Sequence, residues 1–236
     1  MTEELFREDS YLKECAATVT RAADGAICLD RTVFYPMGGG QPGDSGVLRL
    51  DDGSEVRVVD TRKDKDTGDI LHIPAEGETA PAEGAAVTAV IDWDRRHRLM
   101  RMHSCLHLLC ALVPGAVTGG NVSDGKGRLD FDLEESPDKE ALTEKLNALI
   151  AADAPVGHSW ITDEELAANP DMVRTMSVKP PMGQGRVRII AVAGVDTQPC
   201  GGTHVARTGE IGPVQVAKIE KKGRMNRRIS VALMSG

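Results

Sequence analysis

Two pairs of residues in this chain have the types and spacing to share one metal ion. His103 and His107 stand four apart in Met102-His103-Ser104-Cys105-Leu106-His107, and Cys200 and His204 stand four apart in Pro199-Cys200-Gly201-Gly202-Thr203-His204. On a helix, an i,i+4 spacing puts both imidazoles on one face, one turn apart. Two glycines between Cys200 and His204 suit a tight turn with close backbone approach. Three imidazole nitrogens and one thiolate form a tetrahedral donor set suited to Zn2+, one ion per chain. Either pair alone is a weak signal, but together they use half of the six histidines. His72, His97 and His158 lack such partners and read as surface or hydrogen-bonded side chains. The five cysteines, at 15, 28, 105, 110 and 200, are odd in number and scattered, which fits no disulfide framework. Cys15, Cys28 and Cys110 read as small buried hydrophobes.

A second feature is basic. Lys218, Lys221, Lys222, Arg224, Arg227 and Arg228 stand against the single acid Glu220, a local charge of +5 on a chain of −8. Arg95, Arg96, Arg98 and Arg101 form another cluster beside the His103/His107 pair. Such patches can neutralise phosphates and give salt-dependent affinity; the plainer alternative is a solvated charged face.

These residues need elements to hold them. Residues 94–112 predict a helix, with Leu99, Met100, His103, Leu106 and His107 recurring at spacings of three and four. Asp92 or Asp94 caps it and Pro114-Gly115 ends it. A second helix is expected from Ser136-Pro137, with Leu142, Leu146, Leu149 and Ile150 on one face. Thr162 and Glu165 fit a capping box opening a third, short helix. Strands are expected at Val187–Val192, Val214–Ile219 and Arg228–Leu233. Before residue 90 the chain reads as short strands: Ala17–Val19 and Ile27–Leu29 flank a turn with Asp24-Gly25, and Val47–Leu50 and Val56–Val59 flank Asp51-Asp52-Gly53-Ser54. That is a small β-domain, barrel-like. Residues 74–86 read as a linker or a long surface loop. The class is α+β, with a β-rich domain at 1–90 and an α+β domain at 91–236.

The chain's 236 residues are 41% hydrophobic and 27% charged, which excludes a mostly disordered chain. No apolar run approaches the ~18 residues that span a bilayer, so no membrane partner is expected. The polar, acidic start MTEELFREDS is no secretory signal and reads as cytoplasmic. Phe, Tyr and Trp make up only 3%, too few for a stacking platform along single-stranded nucleic acid.

Several segments together resemble the alanyl-tRNA editing proteins of the AlaX type, which are similar to the editing domain of alanyl-tRNA synthetase and, more distantly, to that of threonyl-tRNA synthetase. The segments are residues 34–46 (FYPMGGGQPGDSG), 100–109 (MRMHSCLHLL), 200–205 (CGGTHV), 209–212 (GEIG) and 222–228 (KGRMNRR). They stand in the family's order and cover nearly the whole chain. The resemblance implies that His103, His107, Cys200 and His204 bind one zinc ion at an editing site. The glycine-rich segment implies the middle-sized type, with a β-domain ahead of a zinc-containing editing domain. The implied activity is hydrolysis, in trans, of tRNA(Ala) mischarged with serine, and also with glycine. The family often has Thr-Ala-Thr between the two histidines, where this chain has Ser104-Cys105-Leu106. Met37 stands where an acidic residue is common.

On that reading, Gly202 lets backbone N–H groups approach a developing oxyanion, and Ser104 and Thr203 offer hydroxyls beside the ligands. Gln41 offers a hydrogen bond to the terminal adenosine. Lys218, Lys221, Lys222, Arg224, Arg227 and Arg228 meet tRNA phosphates. Two rivals remain at this level. One is an RNA-binding module with a structural zinc. The other is a Cys/His hydrolase whose nucleophile is Cys105 or Cys200.

Overall fold

The computed structural model describes residues 2–23, 25–175 and 185–234. The chain divides into two compact units, Met1–His97 and Arg98–Gly236. The first contains strands β1 (Glu3–Glu4), β2 (Glu14–Ala23), β3 (Ala26–Leu29), β4 (Arg31–Thr32), β5 (Gly46–Leu50), β6 (Glu55–Lys63), β7 (Ile70–Pro74) and β8 (Ala86–Ile91). Six of them close a barrel in the order β2-β3-β7-β6-β5-β8, and β1 pairs with β4 in parallel. Period-two alternation fills the interior: Val56 and Val58 are buried between exposed Glu55, Arg57 and Val59 on β6, and Val87, Ala89 and Ile91 point inward from β8. Val19, Ile27, Leu29, Val33, Phe34 and Leu48 complete this core.

The β-rich expectation for this region is therefore met, and the Val47–Val59 hairpin forms in register, Leu48 opposite Val56. Of the expected Asp24-Gly25 turn, Asp24 lies outside the described residues. Residues 74–86 do not link two domains: they join β7 to β8 within the barrel. Gly38-Gly39-Gly40-Gln41 is a two-residue turn. Gly38 and Gln41 exchange both backbone hydrogen bonds (3.0 and 2.9 Å), while Gly39 and Gly40 take φ of 56° and 82°. Positive φ at both central positions is the condition that selects glycine. At Gly43 the limit is space: a Cβ there would sit 2.0 Å from the Thr61 carbonyl oxygen.

His72 is the barrel's buried titratable ring. Its Nδ1–H donates to the Ile27 carbonyl (3.0 Å) and its Nε2 accepts from Thr32 Oγ1 (2.8 Å), whose oxygen accepts from the Phe34 amide (3.0 Å). Burial pushes its pKa down to about 4, against the smaller, raising effect of the Ile27 carbonyl. In the unfolded chain the ring takes a proton below about 6.5. Between those values the unfolded state binds more protons, so the stability from neutral His72 is complete above about pH 6.5 and is lost as pH falls toward 4. The full span is worth about 3 kcal/mol. Urea midpoints at pH 7 and pH 4.5 should fall further for the unmodified protein than for His72→Gln; equal falls would remove His72 as the cause.

Helix α1 (Trp93–Leu112) follows β8 after one residue and runs from the first unit into the second. Asp92 is its cap, its Oδ1 accepting from the Arg95 amide (3.1 Å). The second unit adds β9 (Val117–Ser123), β10 (Lys126–Asp132), α2 (Lys139–Ala151), β11 (Val156–Ile161), α3 (Asp163–Ala168), β12 (Val187–Val192), β13 (Asp196–Pro199), β14 (Val214–Gly223) and β15 (Asn226–Leu233). They form two antiparallel sheets, β14-β15-β10-β9 and β11-β12-β13. Helix α2 buries Leu142, Leu146 and Ile150, and Asn147 ties it to β14 by bonding both the amide and the carbonyl of Val214 (3.0 and 2.8 Å). It starts later than Ser136-Pro137 suggested. The Asp138 carboxylate accepts from the Ala141 amide (2.7 Å), which makes Asp138 the cap and leaves Pro137 before it. The Thr162/Glu165 capping box forms as expected at α3.

Candidate metal centre

All four expected ligands lie in the second unit and converge. The ligand atoms of His103, His107, Cys200 and His204 lie within 4.8 Å of one another. Cys200 Sγ is 3.3 Å from His204 Nε2 and 3.6 Å from His103 Nε2. The His204 ring lies 4.3 Å from that of His103 and 4.5 Å from that of His107, between centroids. Helix α1 supplies the first pair from successive turns. The loop after β13 supplies the second, and the sheet fixes where that loop starts: the Cys200 amide donates to the Arg188 carbonyl on β12 (3.0 Å).

Three residues, Arg188, Gly202 and Ser104, set the ligand geometry. The Arg188 guanidinium, 4% exposed, donates from Nη1 to the carbonyls of Gly202 (2.8 Å) and Cys200 (3.3 Å). The Gly202 N–H points back at Cys200 Sγ (3.4 Å), so in this conformation it braces the sulfur rather than facing outward to an oxyanion. Ser104 Oγ lies 3.1 Å from His204 Nδ1 and accepts from the Val205 amide (3.2 Å). With Nδ1 engaged by Ser104, the Nε2 lone pair of His204 faces the cluster, the arrangement that orients a metal-bound imidazole. Arg188 escaped the sequence reading, although a lone arginine inside the apolar run Val187–Val192 was a visible signal.

The electrostatics keep the imidazoles neutral. Burial first, then neighbouring imidazoles and the Arg188 cation, hold His103 and His204 well below the usual histidine range. Burial puts His107 at about 4, with Asp196 opposing and Arg188 assisting. Neutral imidazole is the form that ligates. Three neutral rings and one cysteine sulfur closing on one point suit a tetrahedral ion such as zinc, so the residues fit the group that the sequence implied. Cys105 is fully buried and its thiol is pushed up to about 12, which leaves it no role as a nucleophile at neutral pH.

The other expected residues are placed as follows. Thr203 is fully buried between Gly202 and His204. Gln41 is fully buried in the barrel unit, at the end of the Gly39-Gly40 turn. The basic segment is the β14–β15 hairpin, and its charges are not equivalent. Lys221 and Arg224 are exposed. Lys218 and Lys222 both reach Glu220 (3.0 and 3.1 Å), and Arg228 holds Asp130 through two bonds of 2.8 Å. Arg227 is buried, its guanidinium donating to the carbonyls of Gly223, Arg224, Asn226 and Glu134. It clips the hairpin turn and offers no surface charge. In helix α1 the arginines are also engaged within the chain: Arg95 with the Gly43 carbonyl, Arg96 with Asp44 and Arg101 with the Ile211 carbonyl, while Arg98 holds Asp124 in an exposed ion pair.

Comparison with known proteins fits this geometry. Residues 187–230 match the model of the threonyl and alanyl tRNA synthetase second additional domain, and residues 5–95 match that of the class II (A) tRNA synthetases. The chain is 40% identical to the alanyl-tRNA editing protein AlaX-M of Methanosarcina mazei, over 99% of this chain and 97% of that protein. It is 35% identical to AlaX-M of Saccharolobus solfataricus, over 97% and 98%. Against the alanine–tRNA ligase of Pyrobaculum neutrophilum it is 35% identical over 93% of this chain, which corresponds to 25% of the ligase.

Proposed function

This chain belongs to the alanyl-tRNA editing proteins of the AlaX-M type, and from that premise we propose that it hydrolyses, in trans, the ester of tRNA(Ala) mischarged with serine, with glycine as a second substrate. The observation that carries the reading is the convergence of His103, His107, Cys200 and His204 in a chain that matches stand-alone editing proteins end to end. Those four residues would hold one zinc ion per chain. Bound zinc supplies Lewis acidity toward an ester carbonyl or a water molecule. The chain's own residues do the rest. Ser104 fixes the His204 ring, and Arg188 and Gly202 fix Cys200. Thr203, buried beside His204, would be the residue that reads the seryl hydroxyl.

Editing is the fitting task for such a site. An activation pocket built for alanine rejects a near-isostere with one more hydroxyl only weakly, whereas a site built around that hydroxyl rejects the analogue lacking it by ~10⁴-fold or more. The test is the deacylation rate of Ser-tRNA(Ala), Gly-tRNA(Ala) and Ala-tRNA(Ala) by the purified protein, before and after chelation. Serine should be released fastest and alanine spared, with Thr203→Val losing the preference. Equal release of serine and alanine would sink the proposal. Four protein donors that close on one another also suit a structural zinc in an RNA-binding module; chelation that melts the protein, with no turnover beforehand, would select that reading.

The tRNA body would meet the β14–β15 hairpin through Lys221 and Arg224, helped by Lys218 and Lys222. Neutralising Lys221 or Arg224 should weaken tRNA binding and flatten the logarithmic salt slope by ~0.7–0.9 for each phosphate that is no longer neutralised. A slope that does not move would mark the hairpin as plain solvated surface. Ser104→Ala should weaken zinc affinity by ~10–100-fold in a competition titration with a chromophoric chelator, because it frees the His204 ring. Wild-type affinity would show that His204 needs no such support.

A further inference from the structure

The sheet β11-β12-β13 has two faces with different occupants. Ile161, Val187 and Ile189 pack on one face with Leu166 of α3 and with Met172 and Val173. The other face carries a row that runs from β11 and β12 to the residue just past the end of β13. Trp160 on β11 is in register with Arg188 on β12. The β12–β13 pairing runs through Ile189 and Pro199 to Cys200, whose amide donates to the Arg188 carbonyl. Residues paired across strands project from the same face, so Trp160, Arg188 and Cys200 form one row. Two strand spacings, roughly 10 Å, separate its ends.

Trp160 is singular in its surroundings. Phe131 and Trp160 are the only Phe, Tyr or Trp residues in the second unit, and Phe131 is fully buried in the core while Trp160 is half-buried. The Arg186 guanidinium lies over the indole, 4.1 Å from its centroid. The indole Nε1–H is buried and has no hydrogen-bond partner among the described residues. No hydrogen bond fixes the indole through its Nε1–H, so what the position presents is the flat aromatic face. A half-exposed indole with a stacked guanidinium is the combination that binds a nucleobase by its π-face. The scarcity of aromatics excludes a platform for many bases, but one ring suffices for one base.

We propose that Trp160, with Arg186, is the stacking site for the adenine base of the tRNA 3′-terminal adenosine. This rests on the proposed aminoacyl-tRNA hydrolysis and deepens it. The scissile ester sits on the ribose of that nucleotide. A base held at one end of the row would place the ribose along Arg188 and the ester at the Cys200 end, beside His204. Trp160 thereby sets the distance between the base and the reacting carbonyl.

The test uses zinc-loaded full-length protein carrying Trp93→Phe, which leaves Trp160 as the sole indole. The probe is adenosine bearing serine through a stable 3′-amide, with the matching abasic ribose compound as control. The adenosine probe should quench Trp160 fluorescence on saturation and the abasic compound should not. In the Trp93-containing protein, Trp160→Leu should weaken probe binding by ~10-fold or more and raise KM for Ser-tRNA(Ala) with little change in kcat, while Trp160→Phe keeps most of the affinity. Unchanged Trp160 fluorescence on saturation, equal binding of both probes, or wild-type KM in Trp160→Leu would overturn the proposal. If Trp160→Leu fails to fold, the quenching titration and Trp160→Phe decide alone. Hydrolysis of Ser-tRNA(Ala) with no response at Trp160 would sink the stacking site and spare the editing reading. Quenching by the adenosine probe without hydrolysis would do the reverse.

Discussion

On the proposed zinc-dependent editing, Cys200→Ala is expected to lose the metal and, with it, about 10³-fold of the deacylation rate on Ser-tRNA(Ala). The cause lies in the charge of the donor set. His103, His107 and His204 are held neutral by burial and by the nearby Arg188 cation. With a metal bound, Cys200 would ligate as a thiolate, the one anionic ligand, and would be the only group in the set to offset an ion's charge beside a fixed guanidinium. Without it three neutral rings remain, and the Gly202 amide loses the sulfur it braces. An ion held by His103, His107, Cys200 and His204 would supply Lewis acidity worth several kcal/mol, which at about 1.36 kcal/mol per tenfold corresponds to the stated loss. Metal analysis and deacylation kinetics on the same preparation check it. Full zinc in Cys200→Ala would remove Cys200 from the set. Full activity without zinc would remove the metal from the reaction. Alkylation adds a separate reading of the same sulfur: zinc-loaded protein should protect Cys200, and a protein inactivated by alkylation with its zinc still in place would point instead to a cysteine nucleophile.

How much of this was legible in the sequence follows from the range of each signal. Spacing of three or four residues reports a helix face or a tight turn directly, so the four ligands, the Thr162/Glu165 capping box and the Leu142/Leu146/Ile150 face could all be read locally. The barrel was legible because Val56, Val58 and their neighbours alternate along strands that face water on one side. Strand β9 was not, because Gly119, Gly120 and Asn121 have poor strand propensity and are held by pairing with β10. Strand β11 was missed for the same reason: Gly157, His158 and Ser159 become a strand through β12. The start of α2 offered two caps within three residues, and only the side-chain bond of Asp138 separates them. Charge was the hardest property to read. The +5 of the hairpin contains an arginine paired with Asp130, 98 residues earlier in the chain, and another turned inward onto carbonyls. Summed charge counts residues, whereas a phosphate meets only those that the fold leaves outside.

Asp44→Ala is expected to destabilise the barrel unit by about 3–5 kcal/mol, the cost of leaving a buried charge without its partner. The sequence placed Arg96 in a basic cluster and Asp44 in a glycine-rich segment, 52 residues apart. In the fold they are one ion pair, with side chains 0% and 2% exposed. Arg96 Nε reaches Asp44 Oδ1 and Oδ2 at 3.0 and 2.9 Å, and its two Nη groups donate to the carbonyls of Ser10 (3.2 Å) and Val33 (2.6 Å). Asp44 in turn accepts from the Tyr35 amide (2.6 Å). Every partner belongs to Met1–His97. Removing the carboxylate strands both a guanidinium and a backbone N–H away from water, whereas water would screen the same change at the surface to about 0–1 kcal/mol. Arg96→Met should cost a similar amount for the mirror reason. The double variant Asp44→Ala/Arg96→Met removes both charges together and should fall well short of the sum, since an apolar replacement of a buried pair is often near neutral. Thermal melts would read this as a drop on the order of 10 °C for either single variant and a smaller one for the double. Zinc content should stay unchanged in all three, because His103, His107, Cys200 and His204 lie in the other unit. Strict additivity in the double variant would show that the two groups do not depend on each other, and a loss under about 1 kcal/mol in Asp44→Ala would show that the guanidinium finds another acceptor.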